Sequence, residues 1–539
     1  MPGARPAAFQ LHIAMKLFLW LLVLIPLLQD SKQVNNFPQG RTFYIDALAG
    51  DDSSSGASQS EAWKTLNKVN SFDFLPGDKI LFRAGRIYEG QLKPKDSGRE
   101  GLPIQIDKYG EGYKPRIQGN GVELSALHLY NVECITVKNL DISNYGPSLK
   151  AKRCGVLVEL KDFGKARQIQ LLNLDIHDVN GSLVKNEGGG AGIILANSGN
   201  KKISTFDGVL IADNTIKRCT RNGILINGYW ERSNWHPSRN VIIRNNLLEG
   251  IPGDGIVPIG CDGALIERNA MQDCPRLLPD GEAAAGIWPW SCDNTVIQYN
   301  EVSGHKAPWD AQGFDSDWNC RNTLIQYNYS HDNEGGFLLL CNDGGAKMPS
   351  SLGNTGTVVR YNLSVNDGLR VKGKHAGFSP VFHIAGPVKN SKIYNNIVYL
   401  FPKQPVIDST LIDISDWNGL ADSTVFSNNI FYVNTPVNYN LSLGSRTLFE
   451  NNVYYGNHLN RPQDLFAITA DPLFLGTPGL GLTGLKAAEQ FRLSDKSPLH
   501  NSGRLIQGAE LKDFFGNKVI YSQRPSVGIH QYAPSNKRR

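Results

Sequence analysis

Residues 286–300 read GIWPWSCDNTVIQYN, and the pattern returns at residues 313–328 as GFDSDWNCRNTLIQYN before it begins a third time at residues 335–341 as GGFLLLC. In each copy a short segment that begins with Gly ends at a cysteine. In the two complete copies a predicted strand follows, and an asparagine stands at its end. Short β-branched runs bounded by Gly, Asn and Asp are typical of β-strands. We interpret each copy as one rung of a stacked β-structure, and a fixed repeat of this kind determines the fold.

The closing asparagine recurs along most of the chain. Asn246 and Asn269 are 23 residues apart, which at roughly 3.3 Å per residue is enough for three short strands and their turns. Asn tolerates left-handed backbone at a bend, and its amide can bond the Asn of the next rung. The spacing predicts an all-β parallel β-helix. The closing residues are Asn173, Asn214, Asn246, Asn269, Asn300, Asn328, Asn362, Asn396, Asn429 and Asn452.

The N-terminal part of the chain has two sections. Residues 1–31 hold the apolar run LFLWLLVLIPLL after Lys16, which is too short to span a bilayer and is typical of a secretory signal peptide. Residues 42–120 are predicted to form an N-terminal cap and the first coils. We expect a short capping helix there, with Trp63, Leu66 and Val69 on one face, since a solenoid must cover its first apolar rung.

The β-helix itself is predicted at residues 121–461, and residues 462–539 are predicted to hold the last coil and a C-terminal cap. The leader predicts a secreted or periplasmic protein with no membrane association once the signal is removed. The net charge of +5 comes without a dense basic stripe, so no nucleic-acid partner is expected. The basic run at residues 370–375 is interpreted as a solvated loop. The oligomeric state is left open.

Eight cysteines in an exported chain would first suggest disulfides. Four of them, Cys261, Cys292, Cys320 and Cys341, recur at one point of successive rungs. A stack of small buried thiols explains that period, because free cysteine packs as a small hydrophobe. Disulfides or metal thiolates remain the alternative, although no C-x-x-C pair is present to indicate zinc.

The candidate catalytic residues are Asp315 and Asp317. Alternate side chains of a strand share a face, and alignment on the cysteines places Trp288 and Trp290 beside them in the preceding rung. The same alignment puts Phe337 and Leu339 at those places in the following rung. Two buried, unpaired carboxylates would be costly. We therefore expect the aspartates to face outward, with Phe314 and Ser316 turned into the core.

Other polar and aromatic residues surround this pair in the sequence. Glu334 follows the Asn328 corner and is the reserve acid or base, while Asp254 and Glu282 are interpreted as turn and loop residues. Aromatic faces can stack on sugar rings. The predicted substrate-binding residues are Trp288, Trp290, Trp309, Trp318, His331 and Glu301.

Beyond the repeats, the segments FYID, GDD, AWKTL and LPGD near the N-terminus and DFFGN and VGIHQY near the C-terminus carry a resemblance. With the Asn-ended coils, they are similar to the exported right-handed parallel β-helix proteins of the pectate-lyase-like superfamily, over roughly residues 42–533. The resemblance implies the fold. It implies only a class of activity on carbohydrate, because members include lyases, glycoside hydrolases, epimerases and sugar-binding fibres.

Paired carboxylates favour hydrolysis among these activities, since one can protonate the leaving oxygen while the other acts as nucleophile or base. The sequence thus predicts an exported glycoside hydrolase acting on a polysaccharide or oligosaccharide, without a cofactor. The first alternative is a polysaccharide lyase acting on uronate. Calcium could assist it, held by Asp315 and Asp317 with Asn342 and Asp343. A non-catalytic glycan-binding β-helix is the second alternative.

Overall fold

The computed structural model describes residues 40–345, 352–370, 372–373, 376–377, 379–402, 409–476, 483–506, 512–520 and 523–531. The predicted signal peptide lies outside the described residues. Among those described, no helix is both long and apolar enough to cross a membrane.

The chain winds repeatedly through three parallel sheets, and successive coils add strands to each sheet in turn. This confirms the predicted parallel β-helix. Sheet A contains Thr42–Ile45, Lys79–Arg83, Ile104–Tyr109, Ile135–Lys138, Lys165–Leu172, Thr205–Ala212, Ser238–Arg244, Cys261–Asp262, Leu265–Glu267, Val296–Gln298, Leu324–Gln326, Asn354–Thr355, Val358–Arg360, Val388–Lys389, Lys392–Tyr394, Asp422–Ser427 and Arg446–Glu450.

Sheet B follows sheet A in each coil, and sheet C follows sheet B. Sheet B contains Ile87–Glu89, Arg116–Gln118, Asp141–Asn144, Asp175–Val179, Thr215–Cys219, Leu247–Glu249, Ala270–Gln272, Glu301–Ser303, Tyr329–His331, Leu363–Val365, Ile397–Leu400, the first half of Ile430–Leu441, and Val453–His458. Sheet C contains Ser125–Tyr130, Cys154–Lys161, Ala191–Ser198, Asn222–Asn227, Ile256–Pro258, Gln312–Ser316, Gly336–Cys341, Phe382–Ala385, Thr410–Ser415 and the second half of Ile430–Leu441.

The helical elements are short. The α-helix Leu66–Ser71 begins after Thr65, whose side chain accepts a hydrogen bond from the Lys68 N–H. Leu66 and Val69 are buried, as the sequence predicts, and Trp63 packs on Phe43 just before the helix starts. The 3₁₀ turns are Gln59–Glu61, Lys185–Glu187, Arg232–Asn234 and Leu485–Phe491.

An interior ladder of asparagines joins the coils at the corner between sheets A and B. Each Nδ2 donates to the Oδ1 of the Asn one coil further on, over 2.8–3.1 Å, from Asn214 to Asn452. Asn452 then donates to Asp464. The predicted amide ladder is confirmed for nine of its ten residues.

Two details of the asparagine prediction are wrong. Asn173 lies one position too early: its side chain is exposed, and Leu174 occupies the ladder place, donating its N–H to Asn214. The left-handed backbone belongs to the residue before each ladder asparagine, for example Asp213 and Asn245, with φ of 59° and 56°. The ladder Asn is therefore selected for its amide and not for its backbone.

The cysteine prediction is right for three of the four repeat cysteines. Cys261, Cys292 and Cys320 are completely buried in the main core. All eight cysteines are free thiols. Cys341 is the exception, since it belongs to a separate cluster on the outer face of sheet C with Leu339 and Ala385.

The C-terminal part of the chain packs along the outer face of sheet B. Ala487, Ala488 and Phe491 lie in one apolar cluster with outward residues of the later sheet B strands, such as Tyr329 and Leu363. This leaves the outer face of sheet C as the place to examine for the predicted site.

Candidate functional site

The strand register shows where the repeats really align. Ile287 pairs with Phe314, so Trp288 lies beside Asp315 as predicted. In the next coil, however, Asp315 pairs with Leu339. The predicted partners Phe337 and Leu339 are therefore wrong by two residues, and Cys341 rather than Leu339 stands beside Asp317.

The two predicted carboxyls face away from the core but differ in access. Phe314 and Ser316 are fully buried inside the solenoid, which places Asp315 and Asp317 on the outer face. Asp315 is nevertheless only 3% exposed, and its Oδ1 is buried without a hydrogen-bond partner among the described residues. Asp317 is partly exposed. Local cover, rather than strand direction, decides which of the two a substrate can reach.

Asp317 is held through one oxygen. Its Oδ1 accepts hydrogen bonds from the Trp318 N–H at 2.6 Å and from the Cys341 thiol at 3.1 Å. Burial raises the pKa of Cys341 well above its usual value, so the thiol stays protonated and donates. The carboxyl is thereby fixed in orientation on the face of the sheet.

Two further carboxyls, Asp254 and Asp310, complete what we call the acidic cluster, together with Asp315 and Asp317. Asp254 is 3% exposed and accepts from the Trp288 indole Nε1 at 3.0 Å and the Ala285 N–H at 3.1 Å. It is thus a buried member of the site and not the simple turn residue that the sequence suggested.

Asp310 enters from an insertion at the corner between sheets B and C. There Ala283–Ala284 and Trp309–Asp310 form a short two-stranded sheet beside the main one. Asp310 remains partly exposed. This insertion brings a carboxyl to the cluster from outside the repeating rungs.

Burial and mutual repulsion raise the pKa values of Asp310, Asp315 and Asp317. Burial comes first for Asp310, then the charge of Asp317, and together they raise its pKa to about 7. Burial followed by Asp317 and Asp310 raises the pKa of Asp315 well above its usual range. The pKa of Asp317 is also raised, mainly by burial, although its two hydrogen bonds oppose the rise. The cluster therefore holds protons near neutral pH.

Cations relieve part of this repulsion, and Arg370 lowers the pKa of Asp310. Lys185 lowers the pKa of Asp310, Asp315 and Asp317, and its Nζ lies 5.0 Å from the Trp288 ring centroid. A cation over an indole is favourable. Because that ring face is taken and Trp288 is 5% exposed, Trp288 supports the floor of the site and is not an open platform for sugar.

Buried arginines anchor the wall that carries Asp310. Arg370, 4% exposed, donates to the backbone carbonyls of Ala307, Pro308 and Asp310 at 2.8, 2.6 and 2.6 Å. It was assigned to a solvated loop from the sequence, and that interpretation is wrong. Arg221 holds the neighbouring insertion by donating to the carbonyl of Ala283 at 3.0 Å.

The other predicted indoles lie in different surroundings. Trp290 is partly exposed and stacks on Trp230 with ring centroids 5.2 Å apart. Trp318 meets Trp417 edge to face at 5.4 Å and packs over the floor near Cys341. Trp309 is 39% exposed on the Asp310 insertion. All three border the acidic cluster in sequence or in space and are open to contact with a ligand.

Glu334 is engaged by a cation. Its carboxyl forms an ion pair with Arg276, and its N–H donates to the His305 carbonyl. We therefore assign it to the support of the wall instead of the reserve acid or base predicted.

His331 and Glu301 belong to sheet B and not to the acidic cluster. His331 Nε2 lies 3.1 Å from Glu301 Oε1, and its Nδ1 lies 2.8 Å from Asp332. The same arrangement occurs at His177, between Asp141 and Asp178. Glu301 also accepts the Gly484 N–H of the C-terminal segment. Their prediction as substrate-binding residues is corrected to a structural role on another face.

The calcium alternative does not fit the donors. The Asn342 side-chain oxygen accepts the Asn319 N–H, and Asp343 Oδ1 accepts from Gly345 and Asn418. The third group within 4.8 Å of both Asp315 and Asp317 is the Cys341 thiol. Calcium takes oxygen ligands, so a neutral thiol in that place argues against it.

Several surface cavities lie away from the acidic cluster. One of about 500 Å³ is bordered by residues 441–450 and includes Leu443, Leu465 and Phe466. Its lining is largely apolar and contains a single charged group, Glu450. We therefore locate the site by its chemistry and not by the size of a cavity.

Sequence reasoning missed Asp254, Asp310, Cys341 and Lys185 as members of the site. The context PGDG made Asp254 look like a turn residue, and alignment on the cysteines shifted Cys341 by two positions. Asp310 and Lys185 lie on insertions, whose folding no repeat predicts. The sequence held one signal for this part of the site: Trp309 and Asp310 stand just before the rung that contains Asp315 and Asp317.

Comparison with known proteins places this geometry in a class. Residues 124–355 match the family model described as the right handed beta helix region. The chain is 28% identical to a lacto-N-biosidase of Bifidobacterium longum, over 93% of this chain and 37% of that protein. The alignment thus spans little more than a third of the length of this curated relative.

Solved structures agree. A selenomethionine crystal structure of a GH136 lacto-N-biosidase from Eubacterium ramulus is 26% identical, with a TM-score of 0.58, over 76% of this chain and 67% of that one. The native form gives 25% identity and a TM-score of 0.56, over 76% and 68%. The protein is a right-handed parallel β-helix of the kind found in carbohydrate-active proteins. Its particular similarity is to lacto-N-biosidases.

Proposed function

We propose that the chain is a glycoside hydrolase that cleaves an oligosaccharide at the acidic cluster. One observation carries the proposal: several carboxyls of one sign meet on the outer face of sheet C, and their pKa values are raised. A purely structural site would pair such charges, because unpaired buried carboxylates are costly. Perturbed carboxyls of this kind are typical of catalytic acids and bases.

Asp310 is the proposed general acid. Its pKa of about 7 leaves it largely protonated in mildly acidic solution, as donation to a leaving oxygen requires. It is partly exposed, on an insertion that Arg370 fixes through three carbonyl groups. A substrate lying on sheet C would meet this carboxyl from the side.

Asp317 is the proposed nucleophile or general base. Two donors hold its Oδ1, whereas its Oδ2 makes no hydrogen bond to the described residues. One oxygen is therefore oriented by the protein and the other can turn toward a sugar or a water. Asp317 is also the charge that most raises the pKa of Asp310, after burial. This coupling keeps acid and carboxylate in opposite protonation states.

Asp315, favoured from the sequence, receives a different part. At 3% exposure it is behind the pair that a substrate can reach. Its raised pKa makes it a neutral neighbour, and a proton on Asp315 lowers the repulsion that Asp317 would otherwise feel. We propose that it sets the protonation of the catalytic pair.

The lyase alternative is less well supported. β-Elimination on a uronate needs a cation or an arginine to neutralise the carboxylate and a base to remove a proton. Arg221 and Arg370 are buried and committed to backbone carbonyls, and the face of the site is acidic. An acidic face would repel a uronate, so a neutral sugar is the better substrate.

The substrate class follows from the relatives. We propose that the first compounds to test are lacto-N-biosides, because lacto-N-biosidases match the chain along most of its length. We also propose that the protein works without a cofactor, that it is exported, and that it has no nucleic-acid or membrane partner. The leader sequence supports export.

The test is a product analysis. The full chain is incubated with aryl and oligosaccharide lacto-N-biosides, neutral plant and animal glycans, and uronate polymers, and the products are identified by mass. We expect products whose summed mass exceeds that of the substrate by one water for each cleaved bond, and no ultraviolet-absorbing unsaturated sugar. Unsaturated products would establish the lyase alternative, and binding without cleavage across the panel would establish a glycan-binding protein.

A further inference from the structure

The outer face of sheet C continues beyond the acidic cluster as a regular row. Asp315 pairs with Leu339, Leu339 with His383, and His383 with Asp413 in successive coils. Neighbouring strands are about 4.8 Å apart, a step similar to the length of one sugar residue in a chain. His383 and Asp413 thus stand where the next residues of a bound oligosaccharide would pass.

From His383 onward the row is polar, and it continues from Asp413 to Asn440 in the next coil. His383 Nε2 lies 3.1 Å from Ser415 Oγ and 3.4 Å from Asp413 Oδ2. The Asn440 amide donates to Asp413 Oδ1 at 2.5 Å. Burial lowers the pKa of His383 to about 4 and raises that of Asp413. The group therefore presents hydroxyl, imidazole and carboxyl groups with little net charge.

An aromatic edge borders the same place. Trp417 follows Ser415 by two residues and is 38% exposed. It meets Trp318 at 5.4 Å, and Trp318 covers Cys341 and Ala385 on the floor between the acidic cluster and His383. A polar floor beside a half-exposed indole is the combination that neutral sugars bind, by hydrogen bonds to hydroxyls and stacking on a ring face.

The opposite direction along the face is different. There Val257, Ile259 and Trp288 form an apolar cluster with 2–7% exposure, bordered by the partly exposed Trp290. The polar group and the exposed indole of Trp417 lie on the other side, where the hydroxyls of a leaving sugar would find hydrogen-bond partners.

We propose that His383, Ser415 and Trp417 form a second sugar subsite, which binds the leaving-group end of a neutral oligosaccharide, while the buried Asp413 positions His383 from behind. This inference rests on the proposed hydrolase function. The subsite contributes affinity for the chain and touches none of the bonds that break.

The test compares two substrates that share the same glycone, and the wild-type chain is measured on both before the variants. One is an aryl glycoside, which has no leaving-group sugar, and the other carries the same glycone on an oligosaccharide. The variants are Trp417→Ala, His383→Ala and Asp413→Asn. We expect kcat/KM for the oligosaccharide to fall about tenfold or more, as loss of a stacking or hydrogen-bonding contact implies. The aryl glycoside should change less than about twofold.

His128→Ala is the matched control. His128 faces outward on the same sheet and lies 3.2 Å from Glu159, with a pKa also lowered chiefly by burial. It is in the first coils of sheet C and should leave both substrates unaffected. Because Trp417 is half exposed, Trp417→Ala keeps the test valid even where His383→Ala lowers stability.

The outcomes separate the two proposals. Cleavage of neither substrate by the wild type overturns the hydrolase function and the subsite with it. Normal wild-type cleavage, with equal losses on both substrates or no loss on either in Trp417→Ala and Asp413→Asn, overturns the subsite alone. A rise in the inhibition constant of the leaving oligosaccharide for Trp417→Ala would support it independently.

Discussion

Two outward polar clusters on one solenoid differ in how their charges are matched. On sheet B, His331 lies between Glu301 and Asp332, and its pKa rises to about 9 because two acids hold it in the charged form. On sheet C, Asp315 and Asp317 meet other carboxyls, and the main charge that opposes them among the described residues is Lys185. Opposite charges in the His331 cluster offset the free-energy cost of burying them. In the acidic cluster, like charges meet and that cost is not offset.

The repetition on sheet B strengthens this contrast. His177 makes the same two contacts with Asp141 and Asp178 several coils earlier, where the acidic cluster has no counterpart. A bonding pattern that returns along the solenoid is part of its construction. A cluster of like charges that occurs once, and whose insertion is anchored by a buried arginine, indicates function.

The largest effect should come from the exposed pair of the acidic cluster. Asp310→Asn or Asp317→Asn removes the proposed acid or the proposed nucleophile, and loss of such a group lowers kcat by about 10²–10⁴-fold. Initial rates on a substrate found by the product screen measure the effect. An unchanged melting temperature would show that the variants remain folded.

Asp262→Asn is the control for this pair. Asp262 lies on sheet A, where Arg239 pairs with it at 3.1 Å, and its replacement should leave kcat within about twofold. Full activity of both Asp310→Asn and Asp317→Asn would disprove the assignment. Loss in Asp315→Asn alone would return the catalytic role to the residue that the sequence favoured.

Substitutions in the sheet B cluster around His331 should change the stability of the protein. His331→Ala leaves Glu301 and Asp332 without their cation, and breaking a buried charged pair costs about 3–5 kcal/mol. We expect a lower urea midpoint with unchanged kcat at temperatures where the protein is folded. His177→Ala should cost less, because its neighbour Asp178 is also paired with Arg218. A large fall in kcat for folded His331→Ala would put sheet B into the active site after all.

The two clusters should also differ in the pH range over which they contribute to stability. The pKa of Asp310 is raised from 3.8 to about 7, so its contribution to stability is complete below pH 3.8 and is lost as pH rises through 7. His331, raised from 6.5 to about 9, contributes below pH 6.5 and loses that contribution through pH 9. Asp367, also raised to about 7, adds to the first loss.

Thermal unfolding from pH 4 to pH 10 measures both losses. Asp310→Asn should shrink the fall that ends near pH 7, and His331→Gln should remove the fall that ends near pH 9. The activity of the wild type should decline above about pH 7, as Asp310 loses its proton. The comparison with the wild type cancels the opposite contribution of His305, His383 and His530, whose pKa values burial lowers to about 4. A change in melting temperature on Asp310→Asn that is the same at pH 4 and at pH 8 would contradict the sign for the acidic cluster.

The fold was predictable because its signals are local and repeated. The ladder asparagines and the inward cysteines mark each coil, and their spacing is short enough to exclude other repeats. The errors came from single positions: Asn173 precedes a coil whose ladder place is filled by Leu174. Periodicity predicts that a corner exists but not which of two adjacent residues occupies it.

The site was predictable only in part. The alternation of side chains along a strand predicted that Asp315 and Asp317 face outward, because that direction depends only on their positions in one strand. Their exposure depends on Lys185, Asp310 and other residues of insertions between the rungs, and insertions carry no period. The cysteine alignment failed at Cys341 because that residue lies beside Asp317 on the outer face, while Asn354 takes the place next to Cys320 in the inner stack.

That displaced cysteine supports the smallest prediction. The Cys341 thiol donates to Asp317 Oδ1 at 3.1 Å beside the Trp318 N–H at 2.6 Å, so one of two bonds that orient the carboxyl is a weak thiol bond. Cys341→Ser keeps a donor there and should hold kcat within about threefold, while Cys341→Ala should lower it by about three- to tenfold, the effect of about 1 kcal/mol for one hydrogen bond. Since the lost bond stabilises the ionised form of Asp317, Cys341→Ala should also move the acidic limb of the pH profile upward. Cys320→Ala, in the inner stack, should lower stability without moving that limb, and an equal shift in both variants would make the thiol of Cys341 a packing group alone.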